Sequence, residues 1–372
     1  MKVSVAQKDL VAALSRCQGV VYMKTTLPVL SNILLEAKGG RLRYAATDLY
    51  RAVSGSVEAE VSEGGSICVP ARDTLERAKA LPAGGILLTA NPNGTVDLKA
   101  VASPRRFKVH GLPGDNYPAI PTPDPAAVGF NVSAKDLYSL LAHVAFSIST
   151  DSTRPHLNSA LLESSDGKLR AVSTDGHRLT LHDVSFDGPA FSVLIPLAAV
   201  QNVKGMLDDI PGLKGDVTVT IDKALVHFDF PFGRFTAKST DSVFPPYGQV
   251  VPAQTDHAAI VPRAQLIDTL QAVSISSSER TGGVMLVFTS GTLRVEATNP
   301  SKGDGADELP VDYTGADMKL GVNARYCIDA AKAVQCEQVS IGFSGELDPI
   351  KVTPADGDET GYVAVVMPMR TE

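Results

Sequence analysis

VSVAQKDLVAAL (residues 3–14) returns as FNVSAKDLYSLL (130–141) and again as AIVPRAQLIDTL (259–270). Each is a short alternating strand that runs into an amphipathic helix. The aligned leucines, Leu10, Leu137 and Leu266, lie 127 and 129 residues apart. A second marker follows in each copy: LRYAATDLYR (42–51), LRAVSTDGHR (169–178) and LRVEATNP (293–300). A third is SICVPARDTLERAKAL (66–81), SVLIPLAAVQNVKGML (192–207) and MKLGVNARYCIDAAKAV (318–334). A third of the 372 residues is 124, so one repeat of domain size fills the chain.

Each copy reads β-α-β-β-β twice. In the first, Lys2–Val5 alternates, and residues 6–18 carry a helical stripe at Leu10, Val11 and Leu14. Ile33–Ala37, Leu42–Ala46 and Ala52–Val61 read as strands. Ile67–Val69 opens the second half, with a helix to Leu81 and strands at Ile86–Ala90, Val96–Ala100 and Arg106–His110. Asn93-Gly94 signals a hairpin. The expected class is α+β: three repeated domains, each a duplicated helix plus antiparallel strands, with the helices gathered on one face. Proline-rich connectors at Pro118, Pro121, Pro123 and Pro125, and at Pro245, Pro246 and Pro252, act as semi-rigid spacers. They set the expected domains at 1–125, 126–255 and 256–372.

Hydrophobic content of 44% and charged content of 20% are ordinary for a soluble globular chain. No apolar run reaches the length of a membrane span, and Met1 leads directly into a strand, so neither anchor nor signal peptide is expected. Cys17, Cys68, Cys327 and Cys336 lack CxxC spacing and read as free thiols of a reducing cytoplasm. A net charge of −7 argues against a protein that holds nucleic acid by bulk positive charge. The charge is uneven. The six expected helices (6–18, 71–80, 134–145, 198–209, 263–273, 324–334) hold ten basic residues against eight acidic ones, and the rest of the chain holds 24 against 33. The helical face therefore tolerates a polyanion that the body repels.

Three copies, the second copy's Thr174-Asp175-Gly176-His177-Arg178-Leu179, TLPVLSNILL (26–35) and the terminal Met367-Pro368-Met369-Arg370 together resemble one family over the whole chain. That family is the bacterial DNA polymerase III β subunits, the sliding clamps. The resemblance implies a head-to-tail homodimer in the cytoplasm, each chain half of a six-domain ring. Twelve helices line a hole through which duplex DNA passes without sequence preference. It implies a tether for the replicative polymerase, with no catalytic residue, no cofactor and no metal.

It also implies residue roles. A pocket for short peptides of polymerase, clamp loader and repair proteins is implied at Arg154, Leu157, Thr174, Gly176, His177, Arg178, Leu179, Phe244, Pro245, Val365, Val366, Met367, Pro368, Met369 and Arg370. Contacts to DNA are implied at Lys24 and, on the helices, at Arg72, Arg77, Lys79 and Lys204. The dimer seam is implied to join Lys99, Arg105, Arg106 and Phe107 of one chain to Ile275, Asp304, Asp307 and Glu308 of the other. The chain departs from the family at Pro246-Tyr247-Gly248-Gln249, where an acid and arginines are common, and at Pro155, His156, Leu197 and Ala198.

Two other readings stand beside this one. The departures suit a peptide-binding scaffold that has lost DNA loading. Asp175 and His177 suit an enzyme with an oriented general base. Against the enzyme, the first copy keeps Thr47-Asp48 with no histidine, and Thr-Asp is a turn-closing pair in its own right.

Overall fold

The alternating strand Lys2–Ala6 passes directly into helix α1 (Gln7–Gln18), which buries Leu10, Ala13, Leu14 and Cys17 at helical spacing. The same join recurs five times: α2 (Ala71–Ala80), α3 (Ala134–Ala145), α4 (Leu197–Asp208), α5 (Arg263–Val273) and α6 (Ala324–Ala333). Pro70, Pro196 and Pro262 end the strands ahead of α2, α4 and α5, where a missing N–H costs nothing to the helix. At α6, Asn323 Oδ1 accepts from the backbone N–H groups of Arg325 and Tyr326. At α3, Ser133 Oγ accepts from Asp136 N–H at 3.0 Å and donates to the Asp136 carboxylate at 2.6 Å, a reciprocal cap. The computed structural model describes residues 1–22, 26–278, 281–301, 303–355 and 361–370.

All described strands pair antiparallel, in four sheets. Within the first copy, the order 60–63, 2–6, 85–90, 95–100, 106–110 forms a five-stranded sheet. A nine-stranded sheet orders 112–113, 65–70, 32–38, 41–47, 51–58, 233–238, 225–230, 216–222, 129–133. It joins the first copy to the opening strand and the second half of the second copy, with Val53 opposite Phe235. An eight-stranded sheet orders 191–196, 159–165, 168–174, 178–185, 363–366, 350–354, 338–343, 257–262. It joins the second copy to the third in the same way, with Leu179 opposite Val365. The four-stranded sheet orders 303–310, 292–299, 283–289, 318–323.

Because sheets run across the repeats, compactness does not follow the repeat. One unit is Met1–Leu137 with Gln201–Ser239, and the other is Tyr138–Val200 with Thr240–Glu372. Each has a helix pair over its sheets, α1 on α2 in one and α5 on α6 in the other. Small residues such as Ala13, Ala78, Ala330 and Ala331 are buried on those helices, and they allow close approach.

Two local expectations need correction. Ala52–Val61 is not one strand: it divides at Ala59 into Arg51–Glu58 and Glu60–Glu63, in different sheets. Ala59 N–H bonds Gly40 O at 3.1 Å, so a chain of unbroken strand character changes partners without a turn residue. The Asn93-Gly94 hairpin is real but has a four-residue loop, closed by Gly94 N–H to Asn91 O at 3.0 Å with Gly94 at φ +79°. Cys17, Cys68 and Cys327 are buried and Cys336 half-buried, all as free thiols. Burial pushes the Cys68 thiol up to about 11 and Cys327 to about 12. No helix among the described residues is long and apolar enough to cross a membrane.

Candidate peptide-binding groove

Strands Lys168–Thr174 and Arg178–Ser185 are joined by a turn that its own side chains close. Thr174 Oγ1 donates to Arg178 O at 2.7 Å and accepts from Gly176 N–H at 3.1 Å. Asp175 Oδ1 accepts from His177 N–H at 2.9 Å and Arg178 N–H at 3.0 Å. Gly176 sits at φ +92°, a backbone region that other residues occupy only under strain.

The turn sends its two cationic-type side chains in different directions. Arg178 is buried and donates to three acceptors: Asp175 Oδ2 at 3.0 Å, Asp329 Oδ2 at 2.7 Å and Phe146 O at 2.6 Å. Its guanidinium lies 4.5 Å from the Tyr326 ring centroid. His177 stays exposed, its ring stacked on Tyr326 at 6.4 Å and 18°. Asp175 therefore spends both oxygens on backbone and arginine, and neither reaches the His177 imidazole. The general-base arrangement is not built.

The C-terminal strand Val363–Val366 pairs with this edge, Val365 opposite Leu179 and Val366 opposite Arg178. The chain then leaves the sheet, tied by Met367 N–H to His177 O at 2.9 Å and Met369 N–H to Gly321 O at 2.8 Å. Met367 and Arg370 are exposed, and Pro368 and Met369 half-buried. Beside them Leu161, Val172, Leu179, Leu181, Leu194 and Val365 form a small apolar cluster, separate from the main core of the third copy. Phe244, Tyr247, Val251 and Val363 lie partly open against it. Pro245 is half-buried in the same connector. Leu157 is buried and Arg154 exposed, on a loop where Arg154 Nε bonds Asp151 Oδ2 at 2.8 Å. Hydrogen bonds from the Thr153 hydroxyl, the Thr153 N–H and Arg154 hold the Asp151 carboxyl below its usual range.

Sequence reasoning missed the polar clamp behind this cluster. Arg170 bonds both oxygens of Asp183, at 2.6 and 2.7 Å, and donates to the Tyr247 hydroxyl at 3.0 Å. Tyr247 donates in turn to Glu163. The Asp183 bonds raise the Arg170 pKa further, and burial raises that of the Tyr247 phenol. The clamp fixes the connector that carries Phe244, whose ring meets Tyr247 edge-on at 6.3 Å. Tyr326, Asp329 and Phe146, which hold Arg178, were missed as well. The 127-residue spacing of Glu36 and Arg43 from Glu163 and Arg170 is the signal that could have found the clamp.

The other expected residues are placed elsewhere. Lys24 lies outside the described residues. Arg72 and Arg77 are on α2, each facing a carboxylate one turn away: Glu76 at 3.0 Å and Asp73 at 3.8 Å. Lys79 on α2 is exposed and Lys204 on α4 half-buried. Lys99 is on strand Thr95–Ala100, and Arg106 and Phe107 are on Arg106–His110, the edge of the five-stranded sheet. Arg105 is in the turn before that edge and donates to Ala80 O at 2.6 Å. Asp304, Asp307 and Glu308 are on Gly303–Pro310, the edge of the four-stranded sheet. Ile275 is exposed on a neighbouring helical turn. Among the described residues no group of three or more His, Cys, Asp or Glu side chains is placed to hold a metal.

Fold and site together describe a repeated α+β protein with a small apolar cluster at the edge where its C-terminal segment leaves the sheet, the polar groups around it engaged in hydrogen bonds. Comparison with known proteins agrees. Models of the N-terminal, central and C-terminal domains of the DNA polymerase III beta subunit match residues 1–121, 131–246 and 248–370. The beta sliding clamp of Pseudomonas aeruginosa is 30% identical over 374 residues, and that of Escherichia coli K12 is 29% identical over 373, each covering all of both chains. The crystal structure of the P. aeruginosa subunit superimposes with a TM-score of 0.91, and that of Thermotoga maritima, 25% identical, with 0.93, again over both full chains. The chain belongs to the DNA polymerase III beta subunit family. Its function is that of a DNA sliding clamp, a processivity factor and not an enzyme.

Proposed function

We propose that the chain acts as a head-to-tail homodimeric ring of six domains, divided near residues 125 and 255, that encircles duplex DNA in the cytoplasm. In this reading α2 and α4 face the DNA with Lys79 and Lys204. Arg72 and Arg77 contribute less, because their own helix already neutralises them. Weak contacts suit a ring, since topology rather than phosphate affinity retains it. The basic edge with Arg106 and Phe107 meets the acidic edge with Asp304, Asp307 and Glu308 of a second copy, with Arg105, Lys99 and Ile275 beside them. Heterologous contacts of this kind form a ring when the rotation between copies closes, here after two.

The groove of the second copy docks short peptides of polymerase, clamp loader and repair proteins. The observation that carries this is the Met367–His177 backbone bond, which fixes a pliable, exposed methionine beside the buried pair Leu179 and Val365 and the partly open Phe244. A few apolar anchors account for most of the affinity at such sites. The test is loading onto nicked circular DNA with the cognate loader. The protein should stay bound until the DNA is linearised, and release that ignores linearisation would exclude the ring.

A further inference from the structure

The clamp that holds Tyr247 in the second copy has a vacant counterpart in the first. On one face of the nine-stranded sheet, Leu34, Glu36, Arg43, Ala45, Ser54 and Ser56 stand 127 residues before Leu161, Glu163, Arg170, Val172, Leu181 and Asp183. The registers agree at every pair. Glu36 is opposite Arg43 as Glu163 is opposite Arg170, and Ala45 is opposite Ser54 as Val172 is opposite Leu181. Arg43 is opposite Ser56 as Arg170 is opposite Asp183. The connectors follow suit, with Tyr117-Pro118-Ala119-Ile120 standing for Phe244-Pro245-Pro246-Tyr247.

What differs is volume and charge. Ile120 replaces the tyrosine, Ser54 the leucine, and Ala45 the valine. The result is an open groove of about 340 Å³, lined by Leu34, Ala45 and Ile120 with Glu36, Arg43 and the two serines. Glu36 and Arg43 are only loosely paired, 3.7 Å apart and both substantially exposed. Their counterparts, Glu163 and Arg170, both bond one phenol oxygen. Ser56 in place of Asp183 leaves the groove one negative charge short of its counterpart.

We infer that this groove takes a tyrosine side chain supplied by a partner protein, on an extended segment with an acidic residue next to the tyrosine. The ring fills the space that Tyr247 fills in the second copy. Its hydroxyl donates to Glu36 and accepts from Arg43, and the neighbouring carboxylate supplies the charge that Ser56 lacks. A groove of this size with a few convergent polar groups is of ligand-binding dimensions. The hydroxyl gives selectivity, because phenylalanine leaves two polar groups without the partner they are arranged to meet.

The experiment is methyl NMR on the full chain, with Leu34 as reporter and acetyl-Ser-Asp-Tyr-Ser-amide as probe. Its phenylalanine analogue and p-cresol are compared with it. The tyrosine peptide should shift the Leu34 methyls saturably, and the phenylalanine peptide should bind about tenfold more weakly. Ile120→Tyr should fill the groove and abolish the shift. Glu36→Ala, a change at an exposed position, removes the acceptor and should sharply reduce the preference for tyrosine over phenylalanine. No saturable shift, equal binding of the two peptides, or p-cresol binding as tightly as the tyrosine peptide would each overturn the proposal. Leu179 methyls report the second-copy groove in the same spectra, so failure here leaves the ring reading untouched.

Discussion

Arg178 donates to Asp329 Oδ2 at 2.7 Å and so ties the turn at 174–178 to helix α6. The bond joins the second copy to the third at the place where the C-terminal segment leaves the sheet. One guanidinium serves Asp175, Asp329 and the Phe146 carbonyl at once, and only a planar fork has donors in those three directions. Arg178→Ala strands a buried carbonyl and two carboxylates, and should cost about 3 kcal/mol. Arg178→Lys should recover less than half of that loss. Thermal unfolding of the three proteins measures it, and a lysine variant as stable as the parent would refute the three-acceptor account.

Gly176 and Leu49 occupy equivalent turns, at φ +92° and φ +77°. The hydrogen bonds correspond one for one: Thr47 Oγ1 to Arg51 O at 2.7 Å, Leu49 N–H to Thr47 Oγ1 at 3.0 Å, Tyr50 N–H to Asp48 Oδ1 at 2.9 Å. Space is open around a Cβ at 176, so Gly176→Ala meets only backbone strain, about 1 kcal/mol. Leu49 is exposed and already bears that strain. Leu49→Gly should therefore stabilise by about 0.5–1 kcal/mol, an uncommon sign for a leucine replaced by glycine. Denaturant midpoints of the pair decide it.

The repeat made most of this legible. Six helices appear within a residue of their expected bounds because strand-then-helix is written in hydrophobic period. The turn-closing role of Thr174 and Asp175 was equally plain. The break at Ala59 was not, because a chain that changes sheets keeps its β character and carries no glycine or proline there. Nor was the joining of neighbouring copies in one sheet: pairing of strand 51–58 with 233–238 is a long-range choice that alternation cannot specify. The groups around Arg178 come from residues 146, 326 and 329, and the clamp around Tyr247 from 163, 170 and 183. Spatial convergence of that kind leaves no local pattern.

His227 is fully buried in the nine-stranded sheet, with Nδ1 against Thr236 Oγ1 at 2.9 Å and Nε2 without a partner. Desolvation, aided by Arg234, lowers its pKa below the usual 6.5, against the opposing pull of Asp222 and Asp229. The folded state thus holds the ring neutral while the unfolded chain takes up a proton near pH 6.5. The stabilising contribution is full above that value and is lost as pH falls through the lower folded-state pKa. Unfolding free energy should drop from pH 7 to 5 more steeply in the parent than in His227→Phe. Identical slopes would show that the ring does not titrate on unfolding.

The two sheet edges allow a decisive test of how copies meet. Strand Arg106–His110 ends one sheet with Arg105, Arg106 and Lys108 at hand, and Gly303–Pro310 ends another with Asp304, Asp307 and Glu308. Exposed edges of opposite charge pair with each other and repel themselves. Arg105→Glu/Arg106→Glu makes both ends acidic, and Asp304→Lys/Glu308→Lys makes both ends basic. Each variant alone should sediment as a monomer. Mixed in equal amounts they should recover the dimer, since a head-to-tail pair then matches acidic to basic at both seams. A chain with all four changes should dimerise with itself. Head-to-head assembly predicts a different pattern, because it would set like edges together in the parent. Sedimentation of the five samples separates the two, and a dimer in either single-edge variant would show that charge at these edges does not govern assembly.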